Sequence, residues 1–385
     1  MAGHTVSLLR GGEPYFRSLF NLLDDAKDSI YLQVYILEAD STGIEVIKKL
    51  VQADERGVKV YLLVDGFGSY GLFGHVHTLL EATGIEYRYF AKVPFETFRQ
   101  PARRLHIKVC VVDGRSAIIG GINISDRYRG TADTPPWLDF ALAFSGPLCG
   151  IVKNTCDDIY SRRLVRKRNF ERAVKTVVNE YGADRSGVRL RLSINDWLRG
   201  RNAISSSYRS AIRNAREEIT ILNSYFIPSV RLLRMLALAA KRGCKVRLLL
   251  SEQSDVPVVK AAIRYLYNRL LKSGIRIFEY KPSVLHAKVF VADRKWCTIG
   301  SHNLNHLSEF FSMEMNVDVD DPVVSGSFAA ELDFLFAKES KEVVAAEFSR
   351  TRNWWSRLGD FLAFRSIRAT RWLFSLFSRQ HPFQA

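Results

Sequence analysis

The chain of 385 residues is 47% hydrophobic and 25% charged, a composition that supplies a sizeable core. It excludes a globally disordered chain, a collagen-like repeat and a miniprotein held together by disulfides. The 56 Lys and Arg residues outnumber the 40 Asp and Glu residues and give a formal net charge of +16. Such an excess favours a polyanionic partner, either nucleic acid or an anionic membrane.

Cysteine usage and the N-terminal segment give no sign of a secreted protein. The five cysteines include no CxxC pair, so the sequence predicts neither a zinc site nor a disulfide framework. The N-terminus lacks the basic segment and apolar run of a signal peptide, and no stretch reaches the ~18 apolar residues of a membrane-spanning helix. We therefore expect a soluble or peripheral protein in a reducing compartment.

The two halves of the chain carry the same succession of predicted elements. In the first half, the strand DSIYLQVYI is followed by a helix, the strand GVKVYLLVD (57–65) and the strand GIEYRYF. The second half repeats them as EEITILNSYF, a helix, GCKVRLLLS (243–251) and GIRIFEY. A strand pair then follows in each half, LHIKVCVVDGRSAIIGGIN (105–123) and LHAKVFVADRKWCTIGSHN (285–303). This internal repeat indicates two copies of one domain.

The alternation of strands and helices predicts an α/β fold, with helices packed on the faces of each sheet. We expect a first domain over 1–150, a basic helical linker over 151–185, a second domain over 186–340 and a basic aromatic tail over 341–385. For the linker, a solvated run of charges is an equally weighted alternative.

Two other patterns compete for a functional role. The segment GFGSYG (66–71) satisfies the GxGxxG pattern of a dinucleotide-binding turn, but the equivalent loop SEQSDVP of the second half lacks these glycines. The pairs His75 with His77 and His302 with His306 have short spacings, yet neither recurs in the other half or has cysteine or carboxylate neighbours. We therefore expect an ordinary turn, no metal ion and no cofactor.

A set of polar residues does recur, with identical spacing, in the two strand pairs. Its members are His106, Lys108, Asp113 and Asn123 in the first copy and His286, Lys288, Asp293 and Asn303 in the second. Because side chains alternate along a strand, the histidine and lysine emerge on one side and the apolar residues between them turn to the core. The aspartates follow the strands at their turns, so we expect them to be structural although they belong to the candidate catalytic motif.

An imidazole, an ammonium group and an amide together suit a phosphate group. If the repeats face each other, two histidines flank one phosphodiester: one attacks phosphorus while the other protonates the leaving oxygen. The lysines and asparagines then stabilise the charge that builds on the equatorial oxygens. This chemistry needs no metal ion.

The tandem motifs HxKxxxxDxxxxxxGGxN and HxKxxxxDxxxxxxGSxN resemble the paired signature of the phospholipase D superfamily. Within it, the chain resembles the bacterial cardiolipin synthases, particularly those of the B type, over roughly residues 8–355, including LLRGGEPYF, NSYFIPS and RYLYNRLLKSG. The first motif departs from the commoner Gly-Ser in having Gly120 and Gly121. The resemblance implies two tandem domains with mixed sheets flanked by helices, a pseudo-twofold relation and an active site at the domain interface.

The resemblance also implies a covalent phospho-histidine intermediate from which a phosphatidyl group passes to an alcohol. It makes His106 the nucleophile and His286 the acid, an order that the residues alone do not set. Family members orient each active histidine with a downstream carboxylate. Glu314 follows His286, and its counterpart after His106 is Asp139.

The placement of basic residues bears on whether the substrate is lipid or nucleic acid. Residues 351–385 carry six arginines against Asp360 alone, interleaved with aromatic residues. At about 100° per residue, one helical face, interrupted by Arg365, comprises Leu358, Phe361, Leu362, Ala369, Trp372, Leu373 and Leu376. This pattern predicts an amphipathic helix at a membrane interface, with packing on the protein core as the alternative.

A second indication is the segment AKVPFETFRQPARR before the first motif, which is roughly ten residues longer than its counterpart in the second half. Its Phe95, Phe98, Arg99, Arg103 and Arg104 stand beside the first histidine and are suited to a lip through which lipids reach the site. Platforms for single-stranded nucleic acid use similar residues, so this segment leaves both substrates open.

We therefore predict an enzyme, a phosphatidyltransferase of the cardiolipin synthase type that uses a phosphatidylglycerol-like donor and the hydroxyl of a second phospholipid. The expected partners are anionic phospholipids and a membrane surface, at the cytoplasmic face and with peripheral attachment. Neither nucleic acid nor an obligate protein partner is expected. The alternatives are hydrolysis to phosphatidic acid and cleavage of nucleic acid by an endonuclease or phosphodiesterase of the same superfamily.

Overall fold

The computed structural model of the chain describes residues 3–91, 103–161, 187–196, 200–305, 308–309, 311–350 and 352–378. Most of the predicted linker lies outside these residues, as do Phe95, Phe98 and Arg99 of the predicted lip. The described strands form two mixed sheets, one from each half of the chain.

The first half forms a seven-stranded sheet in the order β1-β8-β7-β6-β2-β3-β4. Strands β2, β3 and β4 are parallel and the other neighbours antiparallel. The strands of this sheet are β1 (Thr5–Arg10), β2 (Ser29–Val34), β3 (Lys59–Val64), β4 (Glu86–Tyr89), β6 (Lys108–Val112), β7 (Ser116–Gly120) and β8 (Phe140–Ser145). Strand β5 (Arg104–Leu105) also belongs to the first half but pairs with the sheet of the second half. The helices of the first half are α1 (Glu13–Asp24), α2 (Ser41–Glu55), α3 (Leu72–His75), α4 (His77–Leu80), α5 (Asp126–Arg129) and α6 (Leu148–Tyr160).

The second half repeats this order from β9 to β13 as β9-β16-β15-β14-β11-β12-β13, with β10 and β17 added at the edges. Its strands are β9 (Arg189–Asp196), β10 (Arg201–Asn202), β11 (Glu218–Asn223), β12 (Lys245–Gln253), β13 (Arg276–Val284), β14 (Lys288–Ala292), β15 (Trp296–Gly300), β16 (Ser312–Asp320) and β17 (Ser340–Glu342). Its helices are α7 (Ala203–Asn214), α8 (Val230–Lys241), α9 (Pro257–Lys272), α10 (Pro322–Lys338), α11 (Ala345–Arg350) and α12 (Trp354–Ser378). The repeated strand order confirms the predicted pair of α/β domains.

Alternation along the strands divides the apolar side chains among three cores. In β6, Val109 and Val111 join Val289 and Val291 of β14 in one core shared by the two halves. Cys110 of β6 lies in a second core, within the first half. Phe290 of β14 lies in a third, within the second half. Because each buried valine contributes about 1.5–3 kcal/mol, the shared core joins the two sheets into one structural unit.

Helix α12 forms within the predicted tail, and the face that it buries is not the apolar face identified from the sequence. Its buried or core-packed residues are Asp360, Ala363, Phe364 and Ile367. An exposed stripe on its other side comprises Trp354, Trp355, Leu358, Phe361 and Leu362. The predicted apolar face is therefore exposed along its first turns, and the core-packing alternative holds for the opposite face. Among the described residues, no helix has the combined length and apolar character needed to cross a bilayer.

Candidate active site

The two histidines reach one site because each lies on a segment that pairs with the other half of the chain. Strand β5 pairs in parallel with β16, and the His106 N–H donates to the Met313 carbonyl at 3.0 Å. Equivalently, Leu138 forms a parallel bridge with Leu285, and the His286 N–H donates to the Leu138 carbonyl at 2.7 Å. Each half therefore positions the histidine of the other through its backbone.

The carboxylates of the site are exchanged between the two halves. Nδ1–H of His106 donates to Oε2 of Glu314 at 2.9 Å, and Nδ1–H of His286 donates to Oδ2 of Asp139 at 2.7 Å. The pairing expected from the sequence, a histidine with the carboxylate downstream in its own half, is therefore wrong. The cause is that β16 and the segment before β8, which carry the carboxylates, run beside the opposite histidine. Each of the two carboxylates nevertheless accepts a hydrogen bond from a histidine.

Both motif lysines are buried beside these pairs. Nζ of Lys108 donates to the His106 carbonyl at 2.7 Å, and Nζ of Lys288 lies 3.6 Å from Oδ2 of Asp139. Burial lowers the pKa of Lys108 to about 7 and that of Lys288 to about 8, against the opposing effect of the nearby carboxylates. These ammonium groups therefore titrate near neutral pH.

Burial disfavours the charged form of both histidines. Burial, reinforced by the lysine charges, lowers the pKa of His106 and places that of His286 well below its ordinary value. Burial also raises the pKa of Asp139 to about 6. For Glu314 burial acts in the same upward direction, but the charge and hydrogen bond of His106 outweigh it and lower the pKa. A phosphodiester anion between the imidazoles would raise their pKa values, because it adds negative charge.

The motif asparagines are buried and their side chains are fixed by hydrogen bonds. Oδ1 of Asn123 accepts from the Ile36 N–H at 3.2 Å, and its amide donates to the Tyr128 hydroxyl at 2.7 Å. Oδ1 of Asn303 accepts from the Ser224 hydroxyl at 3.2 Å. Their orientation is thus set by the strand ends around them.

The motif aspartates serve the fold and take no part in the histidine–carboxylate pairs. Asp113, at φ 56°, accepts hydrogen bonds from the backbone N–H groups of residues 27–29. Asp293, at φ 51°, accepts from those of residues 216–218. Each holds a strand-connecting turn against the start of the neighbouring strand, a structural role of the kind that their position at the turn suggests.

The residue after the first glycine of each motif, Gly121 or Ser301, lies against a carboxylate of the site. The Ser301 hydroxyl donates to Oε2 of Glu314 at 2.5 Å and accepts from the Met315 N–H at 3.1 Å. At Gly121, any Cβ would fall within 3 Å of the carboxylate of Asp139, which is fully buried. Gly121 therefore leaves the space that Asp139 occupies.

Aromatic side chains that the sequence analysis did not assign surround the histidines. The ring of Tyr35 lies 4.9 Å from that of His106, between centroids. The rings of Tyr128 and Trp137 lie 5.1 and 6.0 Å from that of His286, and the Tyr128 hydroxyl is 3.4 Å from its Nε2. Tyr35 and Trp137 come from loops and Tyr128 comes from the one-turn helix α5, so no periodic pattern signalled these residues.

Two further polar residues hold the segments that precede the histidines. Oδ2 of Asp65 accepts from the Leu105 N–H at 2.8 Å, and the Ser251 hydroxyl oxygen accepts from the Leu285 N–H at 2.9 Å. They are the last residues of the aligned strands GVKVYLLVD and GCKVRLLLS, so the repeat itself carried the signal. Both fix the backbone beside a catalytic histidine.

The described part of the predicted lip is tied down by ion pairs. Arg103 pairs with Asp196 at 2.5 Å, and Arg104 lies 3.6 Å from Oδ1 of Asp65. These two arginines therefore brace the first histidine segment.

Comparisons with known proteins agree with this geometry. Residues 19–131 and 208–338 match the family described as "Cardiolipin synthase, PLD-like domain". Cardiolipin synthase B of Escherichia coli (strain K12) is 31% identical over 369 residues, which are 95% of this chain and 88% of that protein. Cardiolipin synthase A of Pseudomonas syringae pv. syringae (strain B728a) is 30% identical over 91% of this chain and 72% of that protein.

Among solved structures, the phosphatidylserine synthase of Haemophilus influenzae Rd KW20 shares the fold, with a TM-score of 0.73 at 14% identity over 95% of this chain and 94% of that one. Both repeats lie within the family match, and the paired motifs meet in one site. The chain therefore belongs to the cardiolipin synthase family of phospholipase D-like proteins.

Proposed function

We propose that this phosphatidyltransferase moves a phosphatidyl group from a phosphatidylglycerol-like donor to the hydroxyl of a second phospholipid, forming cardiolipin. The observation that carries the proposal is the pair of buried histidine–carboxylate contacts, each built from both halves of the chain. Membership of the cardiolipin synthase family supports the same reaction.

In the first step, Nε2 of His106 attacks the phosphorus of the donor and forms a P–N bond. The P–O bond to the glycerol headgroup breaks, and His286, which takes up a proton on Nε2 when the anionic diester binds and raises its pKa, supplies the proton that the leaving oxygen takes up. The resemblance to the superfamily sets this order of the two histidines. The products of the step are glycerol and a phosphatidyl-histidine.

In the second step, His286 accepts the proton of the hydroxyl on the second phospholipid. That oxygen attacks phosphorus, the P–N bond breaks and His106 is restored. With phosphatidylglycerol as both donor and acceptor, one glycerol is released for each cardiolipin formed.

The other polar residues of the site stabilise the charge on the phosphoryl group and orient the imidazoles. Lys108 and Lys288 offset the negative charge that builds on the phosphoryl oxygens, and Asn123 and Asn303 donate hydrogen bonds to those oxygens. Glu314 and Asp139 act as positioning residues. By accepting the Nδ1–H groups they leave each Nε2 atom directed at the substrate.

The lipid substrates place the reaction at a membrane, and the exposed stripe of α12 supports docking there. This stripe combines two tryptophans, a phenylalanine and two leucines, the residue types found at interfaces with lipid. The net charge of +16 favours an anionic leaflet. We therefore infer peripheral attachment through anionic phospholipids at the cytoplasmic face.

The experiment is incubation of the purified chain with vesicles of phosphatidylglycerol labelled in its headgroup glycerol. We expect labelled cardiolipin and an equal amount of released glycerol. His106→Ala and His286→Ala variants should form neither. If phosphatidic acid is the sole lipid product, the enzyme is a hydrolase and the proposed transfer is wrong. Inertness towards lipids together with cleavage of single-stranded DNA would replace the proposal with a nuclease.

A further inference from the structure

A cavity of about 720 Å³ lies between α9 and α12. Its described lining includes none of the catalytic histidines or the motif lysines and asparagines. Seven arginine and lysine side chains line it, and Asp360 is the only acidic side chain among its described lining residues. The volume lies within the roughly 300–1,000 Å³ usual for ligand sites. The cavity is therefore a cationic site separate from the proposed chemistry.

Asp360, the one carboxylate among the described residues that line this cavity, already has a partner. Asp360 is buried and pairs with Arg352 at 2.5 Å. The lining therefore has an excess of positive charge. Helix α9 contributes Arg264, Arg269 and Lys272 to it, and α12 contributes Arg365 and Arg368. Convergent guanidinium groups of this kind recognise phosphate oxygens, often through two parallel hydrogen bonds.

Aromatic rings hold the guanidinium groups at the cavity wall. Arg365 lies 5.9 Å above the ring of Phe361, and Arg368 lies 5.5 Å above that of Phe364. Tyr265 of α9 packs against Phe364 at 4.8 Å between centroids. These cation–π contacts restrain the two guanidinium groups, which lowers the entropy cost of binding an anion.

The cavity adjoins the exposed stripe of α12. Phe361 belongs to both, and the side chains of Trp354 and Trp355 on the same helix are 60% and 64% exposed. An anion bound in the cavity would thus lie beside side chains suited to the acyl–headgroup boundary. A phospholipid provides both an anionic phosphate for the cations and apolar chains for the exposed stripe, whereas free phosphate contacts only the cations.

We propose that the cavity between α9 and α12 binds the phosphate headgroup of an anionic phospholipid that is retained without reacting, and so anchors the chain beside its substrates. This inference rests on the proposed membrane docking and is independent of the transfer reaction. It predicts that the affinity for anionic vesicles resides mainly in this cavity.

The test uses the full chain in a His106→Ala, His286→Ala background, which prevents turnover. Flotation measures binding to phosphatidylcholine vesicles with and without phosphatidylserine. Removing three cavity cations in Arg269→Ala, Arg365→Ala, Arg368→Ala should weaken anionic binding on the order of 10²-fold, since each charge near the surface contributes about fivefold. The matched control Arg17→Ala, Lys48→Ala, Lys59→Ala removes three exposed cations of the first half. It should weaken binding by less than about fivefold.

The outcomes separate this inference from its competitors. An equal loss in the control triple variant would show diffuse charge attraction and overturn the site. Saturable binding of inorganic phosphate that displaces the vesicles would identify a free-phosphate site instead. In the wild-type background, the cavity variant should retain transfer in detergent micelles of phosphatidylglycerol, and its loss there would assign the cavity to catalysis. The Arg269→Lys, Arg365→Lys, Arg368→Lys variant keeps the charge but loses the paired N–H donors, so it should restore only part of the binding, and full restoration would indicate charge attraction without a built site.

Discussion

Nδ1 of His106 lies 2.9 Å from Oε2 of Glu314, a side chain 208 residues further along the chain and in the other repeat. The reciprocal contact joins His286 to Asp139 at 2.7 Å. Each imidazole is thus supplied by one half of the molecule and oriented by the other. The site exists only where the two repeats meet.

Replacing Glu314 by glutamine should lower kcat/KM by about 10²–10⁴-fold, as expected when a histidine loses its orienting carboxylate. It should also lower the pKa of His106 further, because the negative charge that favours the imidazolium is removed. Histidine-selective NMR titration measures this shift. Asp320→Asn, at the exposed end of the same strand, is the control. A shift confined to His286 would contradict the crossed pairing.

The buried lysines predict a loss of activity on the alkaline side at unusually low pH. The pKa of Lys108 is lowered to about 7 and that of Lys288 to about 8, so their charge disappears as pH rises through this range. A pH profile of kcat/KM, which reports the free enzyme, should therefore fall above about pH 7–8. Lys108→Arg keeps its charge at all these values and should move the start of this fall from about pH 7 towards about pH 8, where Lys288 still titrates. A level profile to pH 10 would count against this account.

Gly121→Ser restores the commoner motif and should nevertheless impair the enzyme. The added Cβ falls within 3 Å of the Asp139 carboxylate, which is fully buried and has no space to retreat. We expect a loss of stability of about 1–3 kcal/mol and a drop in kcat, measured by urea denaturation and transfer assays. Ser301→Gly, which removes a hydroxyl without adding volume, is the comparison. Unchanged activity in Gly121→Ser would show that Asp139 can move.

Asp113→Ala should reduce stability without altering the chemical step. It removes the acceptor of three backbone hydrogen bonds and leaves alanine at φ 56°, so we expect a cost of about 1–3 kcal/mol at neutral pH. These hydrogen bonds outweigh the effect of burial and lower the pKa of Asp113. Its contribution is therefore present above the unfolded value of about 3.9 and declines as pH falls below it.

Urea denaturation of both proteins between pH 3 and 7 checks this expectation. The difference in the free energy of unfolding should shrink towards the acid end. Asp113→Asn, which keeps an acceptor and tolerates positive φ, should lose less. A reduced kcat in fully folded Asp113→Ala would instead place this residue in the catalytic set.

Local patterns in the sequence predict most of the architecture. Alternation in LHIKVCVV places Val109 and Val111 in one core and Cys110 in another, as observed. The repeat also marks both histidine motifs and indicates that the two halves have the same fold, which agrees with the strand order that the two sheets share. These features depend on neighbours along one strand or on comparison between the halves, and both are visible in a single chain.

The crossed carboxylates follow from contacts that no local pattern encodes. Leu105 pairs with Met313 across the molecule, and this pairing decides which histidine Glu314 meets. Similarly, α12 has apolar residues on two sides, so its periodicity alone does not say which side meets α9. Tertiary packing selects Ala363 and Phe364 for burial and leaves Leu362 outside.

The shared core has a consequence for dividing the chain. A first repeat produced alone would expose the apolar sheet face that carries Val109 and Val111, and its His106 would lack Glu314. Neither fragment would be a slower version of the enzyme. The two halves, produced together as separate fragments, should regain activity only by docking as a heterodimer. Loss of the histidine in one fragment should then abolish activity even when the histidine of the other fragment is intact.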